Sequence, residues 1–532
     1  MPRKRRATAG NQTGIGPDSS TGALRGGDSC GSTDLERTPV TADPLPPQAP
    51  PRRGVWAQLR PLLLRTHFYA GVFIAPFILV AAVTGLIYTA APQIERMVYD
   101  HELRVPAGQA AQPLSKQVAA ARAAHPSGEI TSVMPAVDAT STTRVVFSDE
   151  TVPADYEMAV FVDPYTLEVR GQERTFGQWL GVRAWIDDLH RNLHLGAFGR
   201  NYSELAASWM WIVVLGGLAL WIGRRRSLRR VVLPDASAKK GRSRNLSWHA
   251  ATGVWITIGL LLLSVTGLTW SNHAGAKIAD VRTLFDWNSP PLETSLTPGG
   301  QAAEHRHGAA APAAEGGDAV FTSGVGIDGV MATATAQGLR TPLFIAPPAD
   351  AQSAWKVDES KRDWPTRFDA VTVDGRTGAV VDRVDFDEWP FMAKMTNWTI
   401  DAHMGILFGL PNQLVLAALA IGLIFVIARG YGMWWQRRPT RDGGARFGRP
   451  APRGSLRALT PGVLVLVAAT TLFIAYFLPL FAISLAVFLA VDVLLERRRT
   501  TRPPVLAGTL DPPSPDTQEE TPVAVGAETG GR

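Results

Sequence analysis

Apolar residues along the chain fall into long blocks separated by polar stretches. Crossing a bilayer takes about 20 apolar residues. The blocks within 55–92, 204–223, 248–271 and 411–435 meet that length, each as one helix. A fifth block covers 459–495. As one helix it runs roughly 54 Å, too long for a hydrocarbon core of about 30 Å. Both its flanks are basic, so the pattern predicts a hairpin of two short spans turning near Pro479. The count is then six spans.

The two long segments between spans, 93–203 and 272–410, have a different rhythm. "LSKQVAAARAAHP" (114–126) reads as an amphipathic helix, followed by strands at about 130–136, 143–148 and 156–170. The second segment carries a similar module over about 318–386, ending in "FDAVTVDGRTGAVVDRV". The expected fold is a membrane α-helical bundle with two small α+β modules on one side. Residues 1–54 and 496–532 are rich in Pro, Gly, Ser and Thr and lack an apolar period, which predicts disordered tails.

Charge adds an orientation. The 532 residues carry a net charge of +6, concentrated in short clusters beside the apolar blocks, a membrane-topology pattern rather than a nucleic-acid footprint. Arg52, Arg53, Arg60 and Arg65 lie at the start of the first span, "GRRRSLRR" and "KKGRSR" fill the loop 224–247, and "QRRPTR" opens the loop 436–458. The positive-inside rule makes these cytoplasmic, with the N-terminus, and puts both α+β modules outside. "MPRKRR" is followed by no apolar run within signal-peptide range, so it is not read as a cleaved leader. Cys30 is the only cysteine, which excludes a disulfide framework, a thiolate cluster and covalent C-x-x-C-H haem.

The spans repeat. "HFYAGVF" at His67 and "HAATGVW" at His249 align at an offset of 182 (249 − 67), and the offset holds without a gap to "TGLIY" and "TGLTW". Gly71 falls on Gly253, Thr84 on Thr266 and Gly85 on Gly267. The outer segments repeat as well, in "VDPYTLEV" and "VDGRTGAV", and each returns to the membrane through "DLHRNLHLGAFG" or "DAHMGILFG". The chain reads as a duplicated unit of span, outer module, histidine and span.

Gly85 lies 18 residues after His67, five helical turns at about 3.6 residues each, so the two share a helix face. Gly71 lies close to it, and the same holds for His249, Gly253 and Gly267. Glycines let a bulky planar group approach the backbone, or equally let helices pack closely. Neutral imidazoles bind iron axially, and a macrocycle fits an apolar slot between helices. Two haems b are therefore expected: an inner one held by His67 and His249, and an outer one drawing on His190, His194 and His403. "FGQWLGVRAWIDDLHRNLHLG" predicts an interfacial helix with His190 and His194 one turn apart on one face. His273 is a further outer candidate, about 36 Å along the span from His249. His101 and His125 have no convergent partner, and His305 and His307 sit in an Ala- and Gly-rich loop. The outer segments contain no G-x-S-x-G, H-E-x-x-H or phosphate loop.

In their order, "THFYAGVF…TGLIY", "FVDPYTLEVRG", "DLHRNLHLGAFGR", "SWHAATGVW…TGLTW", "VTVDGRTGAVV" and "DAHMGILFG" resemble the PepSY-associated transmembrane family of bacterial iron-regulated membrane proteins, over roughly 55–440. The resemblance implies that the two extracytoplasmic α+β modules are PepSY-like. It also implies a likeness to di-haem ferric-siderophore reductases in the bacterial plasma membrane. The expected activity is outward electron transfer to a ferric chelate or siderophore for iron uptake, fed by a quinol or a cytoplasmic reductase. Its partners are then the lipid bilayer and the chelate, not nucleic acid. Two rivals stand beside it: an iron- or siderophore-related permease, and a cofactor-free sensor or protease-regulating protein. The hairpin 459–495 and the insertion 299–317 depart from the family's pattern.

Overall fold

A computed structural model describes residues 54–224, 227–235, 237–238, 240–297, 302–303, 317–436, 456 and 459–500. Residues 1–53 and 501–532 of the predicted tails, with Cys30, His305 and His307, lie outside the described residues, whereas 496–500, expected in the disordered tail, are helical.

The first apolar block is not one straight helix. It forms α1 (Val55–Phe73) and α2 (Ala75–Tyr88), bent by 58° at Ile74. Pro76 explains the break, since it has no N–H to return to the carbonyl four residues back. That carbonyl, Val72 O, instead accepts from the Tyr431 hydroxyl at 2.9 Å. His67 and Gly85 therefore do not share one continuous helix face.

After α2 the chain enters the outer domain through α3 (Leu114–Ala124), β1 (Ile130–Met134), β2 (Thr143–Phe147), β3 (Glu157–Val162), β4 (Val169–Phe176) and β5 (Trp179–Leu180). It returns through α4 (Gly181–Asn192) into α5 (Gly196–Ile222). α6 (Arg242–Thr269) leads through α7 (His273–Leu284) to the second outer half: α8 (Gly326–Ala336), β6 (Leu343–Ala346), β7 (Trp355–Glu359), β8 (Ala370–Val373) and β9 (Val380–Val384). Then α9 (Phe391–His403) delivers the chain to α10 (Leu410–Trp435), and α11 (Pro461–Phe477) and α12 (Pro479–Thr500) close it.

The two expected outer modules are not separate bodies. Their strands form one antiparallel sheet of nine, in the order β9-β8-β7-β6-β1-β2-β3-β4-β5. The seam is β1 against β6, with Val133 opposite Ile345, both fully buried. α3 and α8 pack together over this sheet, and one apolar cluster joins Phe147 and Val160 to Trp355 and Val357. Joining two short sheets edge to edge removes an exposed strand edge from each.

α5, α6 and α10 are each long and apolar enough to cross a membrane, and the bent pair α1–α2 makes a fourth span. α11 and the apolar part of α12, Pro479–Leu495, are shorter, so length alone counts three or four spans among the described helices. The break at Leu478–Pro479 falls where the hairpin was expected. α12 packs on α5, where Trp209 Nε1 donates to Ser484 Oγ at 2.9 Å. Asp492 pairs with Arg65 on α1. The Arg65 side chain is buried at the start of the first span, where an unpaired charge would be costly. α1–α2, α5, α6 and α10 form the bundle, which carries His67 and His249, while His190 on α4 and His403 on α9 meet it at its outer end.

Candidate functional site: two histidine pairs in the bundle

Two cavities lie along the bundle. The inner one, about 300 Å³, is bordered by His67, Gly71, His249 and Gly253. The outer one, about 790 Å³, is bordered by Gly85, His190, Gly267 and His403. Ile78, Met210, Leu260 and Leu423, one from each of α2, α5, α6 and α10, border both, so the cavities stack end to end across an apolar septum.

In the inner cavity the His67 and His249 ring centres are 6.2 Å apart. His67 Nδ1 donates to Val213 O at 3.0 Å, and His249 Nδ1 donates to Val426 O at 2.8 Å. A carbonyl only accepts, so both rings carry the proton on Nδ1 and keep Nε2 for a ligand. Glycines admit the rings to the neighbouring helices. A Cβ on Gly217 would come within 2.7 Å of His67 Cε1, and one on Gly430 within 3.6 Å of His249 Cε1. Gly71 and Gly253 face open space.

In the outer cavity His190, near the end of α4, faces His403 at the end of α9, with ring centres 6.4 Å apart. Gly85 gives His190 its room, with Cε1 at 3.1 Å from an added Cβ, and Gly267 lies 3.8 Å from His403 Cε1 in the same sense. Asp401, two residues before His403, is 1% exposed and accepts from Arg362 Nε at 2.8 Å. Burial pushes its carboxyl above the usual range and Arg362 opposes that shift. The pair fastens α9 to the outer domain.

A family described as the PepSY-associated TM region matches residues 64–437, well over half of the chain. The chain belongs to that family. It is a membrane protein. No curated protein matches it.

In this family member the structure brings together His67 with His249 and His190 with His403, and it separates His194 from both. α4 ends at Asn192, and Leu193 and His194 turn left-handed, at φ 57° and 55°. The i, i+4 relation expected for His190 and His194 is therefore absent. His194 Nδ1 sits 3.0 Å from Asp188 Oδ2, with its ring against Trp185. It anchors the end of α4 and does not border the outer cavity. His273 opens α7, where its N–H and that of Ala274 donate to Glu204, and it too lies off the cavity. His125 belongs to the outer domain, 3.3 Å from Asp149, and His101 is exposed there.

Val213, Gly217, Val426 and Gly430 were not singled out from the sequence. A signal existed: His190 and His403 are 213 residues apart (403 − 190), and the same offset carries Val213 onto Val426 and Gly217 onto Gly430.

The residues present fit a haem. A metal held between two imidazoles, at about 2 Å from each nitrogen, separates the ring centres by roughly 6 Å. Both pairs have that spacing, both inner Nδ1 atoms are satisfied by backbone carbonyls, and the inner slot has two glycine walls with no side chain. Among the described residues no group of three or more His, Cys, Asp or Glu could hold a bare metal ion.

Proposed function

We propose that the protein is a six-span, internally duplicated electron carrier of a bacterial plasma membrane, with a cytoplasmic N-terminus. It holds two haems b and reduces a ferric chelate, such as a ferric siderophore, outside the membrane. The observation that carries this reading is the pair of facing histidines at imidazole–iron–imidazole spacing in each of two stacked cavities. Haem b supplies a one-electron couple. His67 and His249 would hold the inner group, and His190 and His403 the outer one. Gly71 and Gly253 leave room for the inner macrocycle, and Arg60, Arg224 and Arg242 border that cavity, as its propionates require. The septum of Ile78, Met210, Leu260 and Leu423 keeps the cavities close and offers no group that could pass a proton.

Each turnover takes one electron from a donor at the inner side, a quinol or a cytoplasmic reductase, and gives it to one Fe(III) outside. Oxygen-donor chelators hold the softer Fe(II) far more weakly, so reduction releases the iron. By the positive-inside rule the cation-rich loops support a cytoplasmic position for the His67–His249 end.

The test is a visible spectrum of the purified protein before and after dithionite, with haem quantified per chain. Two haems with low-spin bis-imidazole bands are expected. A colourless, correctly inserted protein would remove the reading and leave the permease and sensor alternatives. A reporter fused after Arg230 should act as cytoplasmic and one inserted within 299–317 as external. The opposite result reverses the direction of transfer.

A further inference from the structure

The outer histidines are anchored differently from the inner ones. His67 and His249 donate Nδ1–H to the peptide carbonyls of Val213 and Val426. His190 and His403 meet hydroxyls instead: Thr84 Oγ1 at 2.9 Å and Thr266 Oγ1 at 2.5 Å. Both hydroxyl protons are already engaged. Thr84 donates to Val80 O at 2.9 Å, and Thr266 to Leu262 O at 2.7 Å, each one helical turn back. Iron would take Nε2, which leaves the imidazole proton on Nδ1; a hydroxyl has one proton, so each threonine then accepts from the ring and keeps its own proton for the carbonyl. Each outer ring then carries its proton on Nδ1 and leaves Nε2 bare.

Bonding of a helix threonine to the preceding turn is common and needs no function. It does not explain why Thr84 and Thr266, at matched places in two spans, each meet the ring of a histidine that arrives on another helix. The Thr-Gly steps of α2 and α6 act as units. Gly85 makes space for the His190 ring that Thr84 orients, and Gly267 stands beside the ring that Thr266 orients.

We propose that Thr84 and Thr266 are positioning residues that fix the tautomer of the outer histidine pair and give its iron a higher midpoint potential than the inner iron. The inference rests on the haem reading above. A peptide carbonyl accepts more strongly than a hydroxyl. It draws harder on Nδ1–H, makes Nε2 a more electron-rich ligand, and so stabilises Fe(III). The carbonyl-anchored inner pair therefore favours the oxidised iron more than the hydroxyl-anchored outer pair does. An electron entering inside then moves downhill to the outer side. Rim charge does not set this order, because its count is net +3 at the inner cavity and +2 at the outer, which by itself favours reduction at the inner iron. Arg60, Arg224 and Arg242 border the inner one, while four arginines with Asp187 and Glu204 border the outer one.

The experiment is a redox titration of the purified protein followed in the α-band, with haem content measured on the same samples. Wild type should show two midpoints. Thr84→Val and Thr266→Val should each move the higher midpoint upward, or lose the outer haem, while the lower midpoint stays in place. Thr84→Ser and Thr266→Ser keep the acceptor and should behave as wild type, which separates the hydroxyl from simple packing. Full haem with unmoved midpoints in both valine variants overturns the proposal, as do serine variants that behave like the valine ones. A shift of the lower midpoint alone overturns it too. Wild-type protein without haem removes the underlying reading instead, and that is seen before any variant is made.

Discussion

The inner and outer cavities share four walls and differ in their ends. The inner one is closed by bundle helices alone and has about 300 Å³. The outer one has about 790 Å³ because its far end is shared with the sheet domain. Gly177 and Trp179 of the β4–β5 hairpin, with Arg362 and Phe368 of the second outer half, complete it. The inner site is thus a property of the bundle, and the outer site is a property of the bundle and the sheet together. A relay needs nothing beyond the first arrangement. Delivery to an external acceptor needs the second, where space remains next to the histidine pair.

The largest effect should come from breaking the outer pair. His403→Ala or His190→Ala should bring external ferric-chelate reduction to background, while the inner haem is still reduced from the cytoplasmic side. His194→Ala, which removes a ring that lies off the cavity, should retain most activity. Equal loss in His194→Ala and His190→Ala would mean that the end of α4 matters as a whole and that the cavity contact does not. Breaking the inner pair is the matching test. His67→Ala or His249→Ala should each lose about half the bound haem while the protein still inserts, since one axial ligand of one site is gone. Full haem in both variants would sink the pairing.

The coupling between sheet and bundle can be tested at one ion pair. Arg362 and Asp401 are 16% and 2% exposed in their side chains, and Arg362 also lies over the Trp179 ring at 5.3 Å. Arg362→Met leaves a buried carboxylate without its partner, which costs on the order of 3–5 kcal/mol. The loss should appear as a lower thermal midpoint and a poorly held outer haem, with the inner haem spectrum unchanged. Arg362→Met combined with Asp401→Asn should recover much of the stability. Equal damage at both haems would contradict the division between a bundle site and a shared site.

How far the sequence carried this comparison depends on the range of each interaction. The inner pair was legible because His67 and His249 sit on the repeated span itself, at one offset. The outer pair was legible as a set of three, and the set was one too large. α4 stops at Asn192, and neither Leu193 nor His194 announces the left-handed turn that a glycine usually marks. The bend at Pro76 could be anticipated, but not the Tyr431 hydroxyl that takes over the freed carbonyl from 359 positions away. The same holds for Thr84, whose partner His190 lies 106 positions on. The joining of two sheets through Val133 and Ile345 had no sequence signal at all, because edge pairing is specified by register and burial rather than by composition.

The smallest effect is also the sharpest test of what fills the inner cavity. Gly71 and Gly253 border it, and a methyl group on either would meet no protein atom within 4 Å. Protein contacts alone therefore predict that Gly71→Ala and Gly253→Ala are harmless. They should even stabilise the haem-free chain, by about 0.5–1 kcal/mol, because alanine restricts the unfolded backbone and glycine does not. A macrocycle lying against those two bare stretches of helix changes the sign. The added methyl groups would then take up its space, and haem retention should fall several-fold at the inner site and not at the outer one. Gly216→Ala is the control, since Gly216 also has open space around it but borders neither cavity. Unaltered haem affinity in Gly71→Ala and Gly253→Ala would show that the open space at these glycines is not where the inner group lies.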